Sequence, residues 1–399
     1  MRRISSLIAL TLFFSQMIPA DAAVKSGASC KKPGAVSFVK AVEYTCKKKG
    51  KKLAWSKGNT VKGLEKKEEN SATKPVSVTY PTSPEVEKVE ALVTELVARS
   101  KPSKSVVELI VGPGEVNQSL AGIVQGNIDV SLKIAEALGF EFTRGYKVYV
   151  GDKDWLIPLM PEGTWCASRD GGVPAGSSAG FCGYDSGVIF VNQTGFLNSD
   201  GRSLLRDFKS ADARRLVSIS FSHEIFHAMQ AEFARKYAGT RGFFNQFWLN
   251  EGGASLVGAI AFSVIENIPY RQARTWIATY QSCLDQPEVI TLMDFNANTG
   301  AEGVCGPYVG GFFWSEYLVS QTGEIGALLN LAKTNRSALD QLIYDPNNVK
   351  KFEGEKLRVA LQDIYQIELD KFTLDANDYF AKSSRAVKSW AIATGNYRR

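Results

Sequence analysis

Only two histidines occur in the 399 residues of this chain, His223 and His227, in the run His223-Glu224-Ile225-Phe226-His227. On an α-helix, positions four apart share a face, so both imidazoles can reach one metal ion. Glu224 projects beside that face, where a carboxylate can take a proton from a metal-activated water. Two histidines do not complete a catalytic zinc site, which needs a third protein ligand. With no histidine left, that ligand has to be an acid or a cysteine. No CxxC pair is present, which argues against a separate cysteine-held zinc.

These side chains need rigid elements beneath them. The apolar spacing predicts a helix over 211–238, stopped by Gly239, with Leu216, Ile219 and Met229 turned to a core. A second helix is expected over 251–267. Upstream, Val86, Val89, Leu92, Val93 and Leu96 predict a helix over 85–99. A strand over 105–111, a helix over 120–138 and a strand over 146–150 follow. Gly112-Pro113-Gly114 ends the first of these strands and is no phosphate loop, because no Lys-Ser/Thr follows at the right distance. A Gly/Ser-rich stretch over 170–187 then leads to a short apolar strand over 188–191. From about Tyr308 the chain reads as mostly helical, with strong patterns at 308–319, 324–333 and 355–379. This order implies an α+β fold.

The run from Trp248 to Ser255, Trp-Leu-Asn-Glu-Gly-Gly-Ala-Ser, resembles the LNEGxAS signature that follows HExxH in gluzincins, zinc peptidases whose third ligand is a glutamate. The resemblance implies a zincin-like metallopeptidase fold with a small mixed sheet and active-site helices. It also implies one catalytic zinc ion on His223, His227 and Glu251, with Glu224 as general base. Glu251 lies a few residues farther from His227 than in the common gluzincin aminopeptidases. The extra Gly239-Thr240-Arg241-Gly242 falls in a turn between helices, where added length costs little. Pro307-Tyr308-Val309-Gly310-Gly311, leading to Tyr317-Leu318, is similar to a helix start in those aminopeptidases. It implies that Tyr308 donates a hydrogen bond to the tetrahedral intermediate.

The likeness spans about residues 187–318. The chain departs from the aminopeptidases in lacking their Gly-x-Met-Glu-Asn element, whose glutamate holds the substrate's free amine. In its place Gly187-Val188-Ile189-Phe190-Val191-Asn192 resembles the edge strand on which zincins lay an extended substrate. An endopeptidase acting on peptide or protein substrates is therefore expected. The alternatives are an aminopeptidase with Asp185 as amine anchor, and an inactive zincin-fold protein that binds the cell wall or envelope. Ser255, one turn after Glu251, reads either as a partner of the metal ligands or as helix packing.

The chain opens Met1-Arg2-Arg3, continues with an apolar run from Ile4 to Ile18 and then has Ala20-Asp21-Ala22. This is the pattern of a secretory signal peptide over 1–22. A secreted or envelope-associated protein is expected, with its six cysteines paired locally as Cys30–Cys46, Cys166–Cys182 and Cys283–Cys305. The formal charge of +6 is concentrated in residues 25–67, which include Lys47, Lys48, Lys49, Lys51 and Lys52. The rest is close to neutral, so the chain does not read as a nucleic-acid binder. Residues 23–62 are expected to form a small basic, cysteine-containing module, similar to a Cys-Lys-Trp module at the ends of secreted bacterial proteins. Its lysines suit an anionic cell-wall polymer or a membrane surface, and equally a solvated, disulfide-stapled knob. Residues 63–84 read as a linker. The peptidase-like domain is expected over 85–399, with a helical C-terminal subdomain from about 319 to 399.

Overall fold

A computed structural model describes residues 29, 36–39, 42–50, 52–60, 79–101, 107–167, 178–196, 211–238, 246–279, 291–295 and 305–394. The expected signal peptide, most of the expected linker, the expected turn at 239–242, Cys30 and Cys283 lie outside the described residues. Residues Met1–Val78 and Thr79–Arg399 form two separate compact units.

In the first unit, strands β1 (Val36–Val39), β2 (Val42–Lys49) and β3 (Lys52–Thr60) pair antiparallel in that order. Gly50, at φ 62°, makes the tight turn that sets Lys49 opposite Lys52. Lys47, Lys48, Lys49 and Lys52 are exposed around that turn. Cys46 is buried and disulfide-bonded.

The second unit begins with α1 (Pro84–Arg99). The Ser83 side chain caps it by accepting from the Val86 N–H at 3.3 Å, and Pro84 supplies a preset first helical residue. Its apolar stripe of Val86, Val89, Val93 and Leu96 is buried, as the spacing predicts. Next come β4 (Val107–Val111), α2 (Glu115–Ala137), β5 (Tyr146–Gly151) and α3 (Lys153–Leu156). Strands β6 (Ala179–Phe181) and β7 (Val188–Asn192) complete a four-stranded sheet of order β4-β5-β7-β6. β4, β5 and β7 are parallel, and β6 runs antiparallel to β7.

Two expectations change here. The strand at 188–191 is not an edge: it lies between β5 and β6. All five residues of β7 are buried, because both faces of the strand are covered. Ile189 and Val191 join the main core with the helices. Val188 and Phe190 join a smaller cluster with Leu156, Met160 and the Cys166–Cys182 disulfide. The edge next to the site is instead β6, inside the Gly/Ser-rich stretch that carries no strand pattern. Gly180 suits this strand because a Cβ there would lie 2.6 Å from both the Trp165 and Phe190 rings.

The remainder is mostly helical. α4 (Ala211–Phe233) ends in a π-helical turn over Ala234–Ala238. α5 (Phe247–Glu266) is buried nearly all round, and α6 (Tyr270–Thr279) follows it. A π-helical stretch over Cys305–Gly310 runs into α7 (Gly311–Thr322). Then come α8 (Ala327–Asn330), α9 (Arg336–Asp340), α10 (Val349–Tyr365) and α11 (Leu369–Thr394). The pattern read as continuous over 355–379 is broken at Gln366, whose φ of 57° closes α10 in the left-handed conformation.

Candidate metal centre

α4 carries His223, Glu224 and His227 on adjoining positions, and α5 brings Glu251 against them. Glycine makes this approach possible. A Cβ on Gly252 would overlap the Gly311 backbone, and one on Gly311 would fall 2.6 Å from the Trp248 carbonyl oxygen. α5 and α7 therefore touch backbone to backbone beside Glu251. A Cβ on Gly258 would lie 3.0 Å from the Ile219 carbonyl oxygen, so α5 is equally close to α4. Glu251 is thus delivered by a helix wedged between two partners. Tyr308 precedes Gly311 by one helical turn and arrives with α7.

Three ligand atoms converge. His223 Nε2 is 2.9 Å from His227 Nε2 and 3.1 Å from Glu251 Oε2, and His227 Nε2 is 3.4 Å from the same oxygen. Ligands about 2.0–2.1 Å from a tetrahedral zinc lie about 3.3–3.4 Å apart, so the triangle is close to one face of such a site. Two imidazoles and a carboxylate form a nitrogen–oxygen donor set that could hold a divalent transition-metal ion. His223 and Glu251 are only 8% and 9% exposed, so the donors are held largely away from water.

Burial alone would push the His227 imidazole down and the Glu251 carboxyl up. The charges and hydrogen bonds the two exchange outweigh it, holding His227 up at about 9 and Glu251 well below the usual carboxylate range. Burial, and then the negative charges of Glu251 and Glu224, push the Tyr308 phenol far up. Tyr308 is therefore a hydrogen-bond donor at any physiological pH. Its phenol lies near Glu251, and its ring stacks on His223 at 5.7 Å between centroids.

Glu224 does not join the triangle. Its Oε2 accepts from the Phe181 backbone N–H at 2.8 Å, on edge strand β6. The pairing explains why that N–H is available. Asn192 donates to the Ser178 carbonyl and Cys182 donates to the Val188 carbonyl, both at 2.8 Å, so alternate residues Ala179 and Phe181 face away from β7. A cleft of about 270 Å³ opens over this edge, lined by Ala179, His223, Glu224, Tyr308 and the apolar Leu216 and Phe312, among others. Leu216 and Ile219, expected in the core, are half-buried cleft residues, whereas Met229 is fully buried.

The residues expected at a catalytic centre, His223, Glu224, His227, Glu251 and Tyr308, are therefore brought together. Asp185 is not among the cleft residues: it is 94% exposed and pairs with Arg235 at 3.0 Å. Ser255 donates to the Glu251 carbonyl at 2.8 Å and lies 3.4 Å from His223 Nδ1. Two contributors were not anticipated. The Phe181 N–H is a backbone group in a segment with no strand signal. Gln230, whose Oε1 is 2.8 Å from His227 Nδ1, is one polar residue on a helix and has no motif of its own. No protein-family model, curated protein or solved structure matches the chain.

Proposed function

We propose that this chain is a zinc-dependent peptidase of the gluzincin kind on a zincin-like fold, cutting within peptide chains and acting outside the cytoplasm. The observation that carries the reading is the meeting of three metal-type donors with Glu224 and Tyr308 at one sheet edge. Supporting it are the antiparallel edge strand β6 and the close packing of α4 on α5. Zinc on His223, His227 and Glu251 would supply a Lewis acid that acidifies a water to a pKa of about 7 and polarises a carbonyl.

The chain's own groups divide the remaining work. An extended peptide laid along β6 uses the outward backbone groups of Ala179. Glu224, oriented by the Phe181 N–H, takes the water's proton as the water oxygen bonds to the scissile carbonyl carbon. It delivers that proton to the amide nitrogen as the C–N bond breaks, leaving a carboxylic acid and an amine. The Tyr308 phenol donates to the oxyanion formed between these two steps. With Asp185 in solvent, no amine anchor is seen among the described cleft residues, which favours internal cleavage over N-terminal trimming.

Digestion of a diverse peptide mixture, read by mass spectrometry with chelator and after zinc is restored, tests this reading. Internal cuts that vanish with chelator and return with zinc are expected. Removal of single N-terminal residues would replace the endopeptidase reading with the aminopeptidase one. No cleavage by zinc-loaded protein would leave an envelope-binding protein.

A further inference from the structure

Imidazole has two neutral tautomers, and the HExxH spacing does not choose between them. A centre of the kind proposed above needs Nε2 of both histidines free of its proton. Resting on that reading, we infer that Gln230 makes the choice for His227 and is a positioning residue that ties the imidazole to the helix carrying Glu251.

Gln230 lies one turn beyond His227 on α4 and is 2% exposed. Its Nε2 donates to the backbone carbonyls of Leu249 at 3.3 Å and Asn250 at 3.2 Å. Carbonyl oxygens only accept, so the amide's NH₂ has to face them and its oxygen has to face His227. A flipped amide would set its oxygen against two carbonyls and its NH₂ against the ring nitrogen. The oxygen at 2.8 Å from Nδ1 likewise only accepts, so Nδ1 carries the proton. In the neutral ring Nε2 then keeps its lone pair, and Nε2 is the atom that meets His223 and Glu251.

The two carbonyls belong to the residues immediately before Glu251. One buried amide therefore fixes the tautomer of one ligand and the helix turn that presents another. His223 has a looser counterpart: the Ser255 hydroxyl donates to the Glu251 carbonyl, so its oxygen can only accept from His223 Nδ1, across a longer 3.4 Å.

Two substitutions separate this role from plain packing. Gln230→Met removes acceptor and donors at similar size. Gln230→Glu keeps an acceptor for Nδ1–H but loses the donors to Leu249 and Asn250. Zinc affinity is measured on the full chain by competition with a chromophoric chelator, alongside melting of the metal-free protein. Gln230→Met is expected to weaken zinc binding by roughly tenfold to a hundredfold. Gln230→Glu is expected to recover most of that affinity while melting no higher than Gln230→Met. Equal zinc affinity in wild type and Gln230→Met, or equal weakening in both variants, would overturn the inference.

If neither variant folds, the wild type still decides. With two histidines in the chain, ring ¹⁵N spectra of the zinc-loaded protein resolve each one. His227 is expected with its proton on Nδ1, and a proton on Nε2 refutes the assignment. Wild type that takes up no zinc sinks the peptidase reading itself. Normal wild-type binding with unaffected Gln230 variants sinks only this inference.

Discussion

Two of the buried glutamates in the second unit, Glu316 and Glu251, anchor clusters that are organised in opposite ways. Glu316 on α7 is fully buried, with two donors on each oxygen. Arg274 Nε and Tyr270 reach Oε1, both at 2.7 Å. Arg274 Nη2 and Tyr379 reach Oε2 at 2.7 and 2.6 Å. One positive charge meets one negative charge, donors match acceptors, and the Arg274 guanidinium lies over the Phe313 ring at 5.2 Å. Glu251 has a different set of neighbours. Its Oε1 accepts from Asn250 at 3.2 Å, and its Oε2 faces Nε2 of both His223 and His227, at 3.1 and 3.4 Å. The first cluster is complete within the protein and bolts α6, α7 and α11 together. The second gathers three metal-type ligand atoms that could hold a cation beside a cleft. Burial and charge look alike in the two; the balance of donors against acceptors tells a structural bolt from a site.

The strongest way to break this contrast is to truncate the acid in each cluster. Glu316→Ala leaves Arg274 charged and buried without its partner, a loss of about 3–5 kcal/mol in stability. It should appear as a large fall in the denaturant midpoint, whatever the zinc concentration. Glu251→Ala is expected to abolish tight zinc binding while the metal-free protein keeps its cooperative unfolding. If Glu251→Ala unfolds the chain as Glu316→Ala does, both clusters are bolts and the contrast fails.

A second test stays inside the open cluster. Glu224 is outside the ligand triangle, so Glu224→Gln should retain zinc and lose turnover by about 10²–10⁴. Metal analysis and peptide hydrolysis on the same preparation decide it. Near-normal hydrolysis by the zinc-loaded variant removes Glu224 from the mechanism.

What could be read in the sequence follows the same division. Local signals carry the open cluster: His223 and His227 share one helix face with Glu224 beside it, and Glu251 and Tyr308 sit in short recognisable runs. The closed cluster has no such signal, because Arg274, Glu316, Tyr270 and Tyr379 meet only through tertiary packing. β6 was invisible for a related reason. A three-residue strand centred on Gly180 is selected by the Trp165 and Phe190 rings across it, and not by any alternation of its own. The likeness of residues 187–192 to a zincin edge strand misplaces the edge at β7, since an apolar run of that length fits an edge or a centre equally well and only the placement of β6 decides. The break at Gln366 depends on how α10 and α11 pack, since the apolar spacing runs through it.

The narrowest test uses one tyrosine from each cluster. Tyr379 donates to Glu316 at 2.6 Å, and the Tyr308 phenol lies near Glu251 with its ring on His223. Replacing either by Phe keeps the ring and removes one hydroxyl. In the closed cluster the lost bond goes to a buried charge, so Tyr379→Phe should cost about 1.5–3 kcal/mol of stability and leave zinc affinity alone. In the open cluster the phenol's partner in turnover is the developing oxyanion. Tyr308→Phe should therefore lower kcat by about 10²–10³ with KM and melting temperature nearly unchanged. The two readouts cross over, which a general loosening of the core would not produce. If Tyr308→Phe lowers the melting point and spares kcat, Tyr308 is a packing residue, and the oxyanion has to find its donor elsewhere in the cleft.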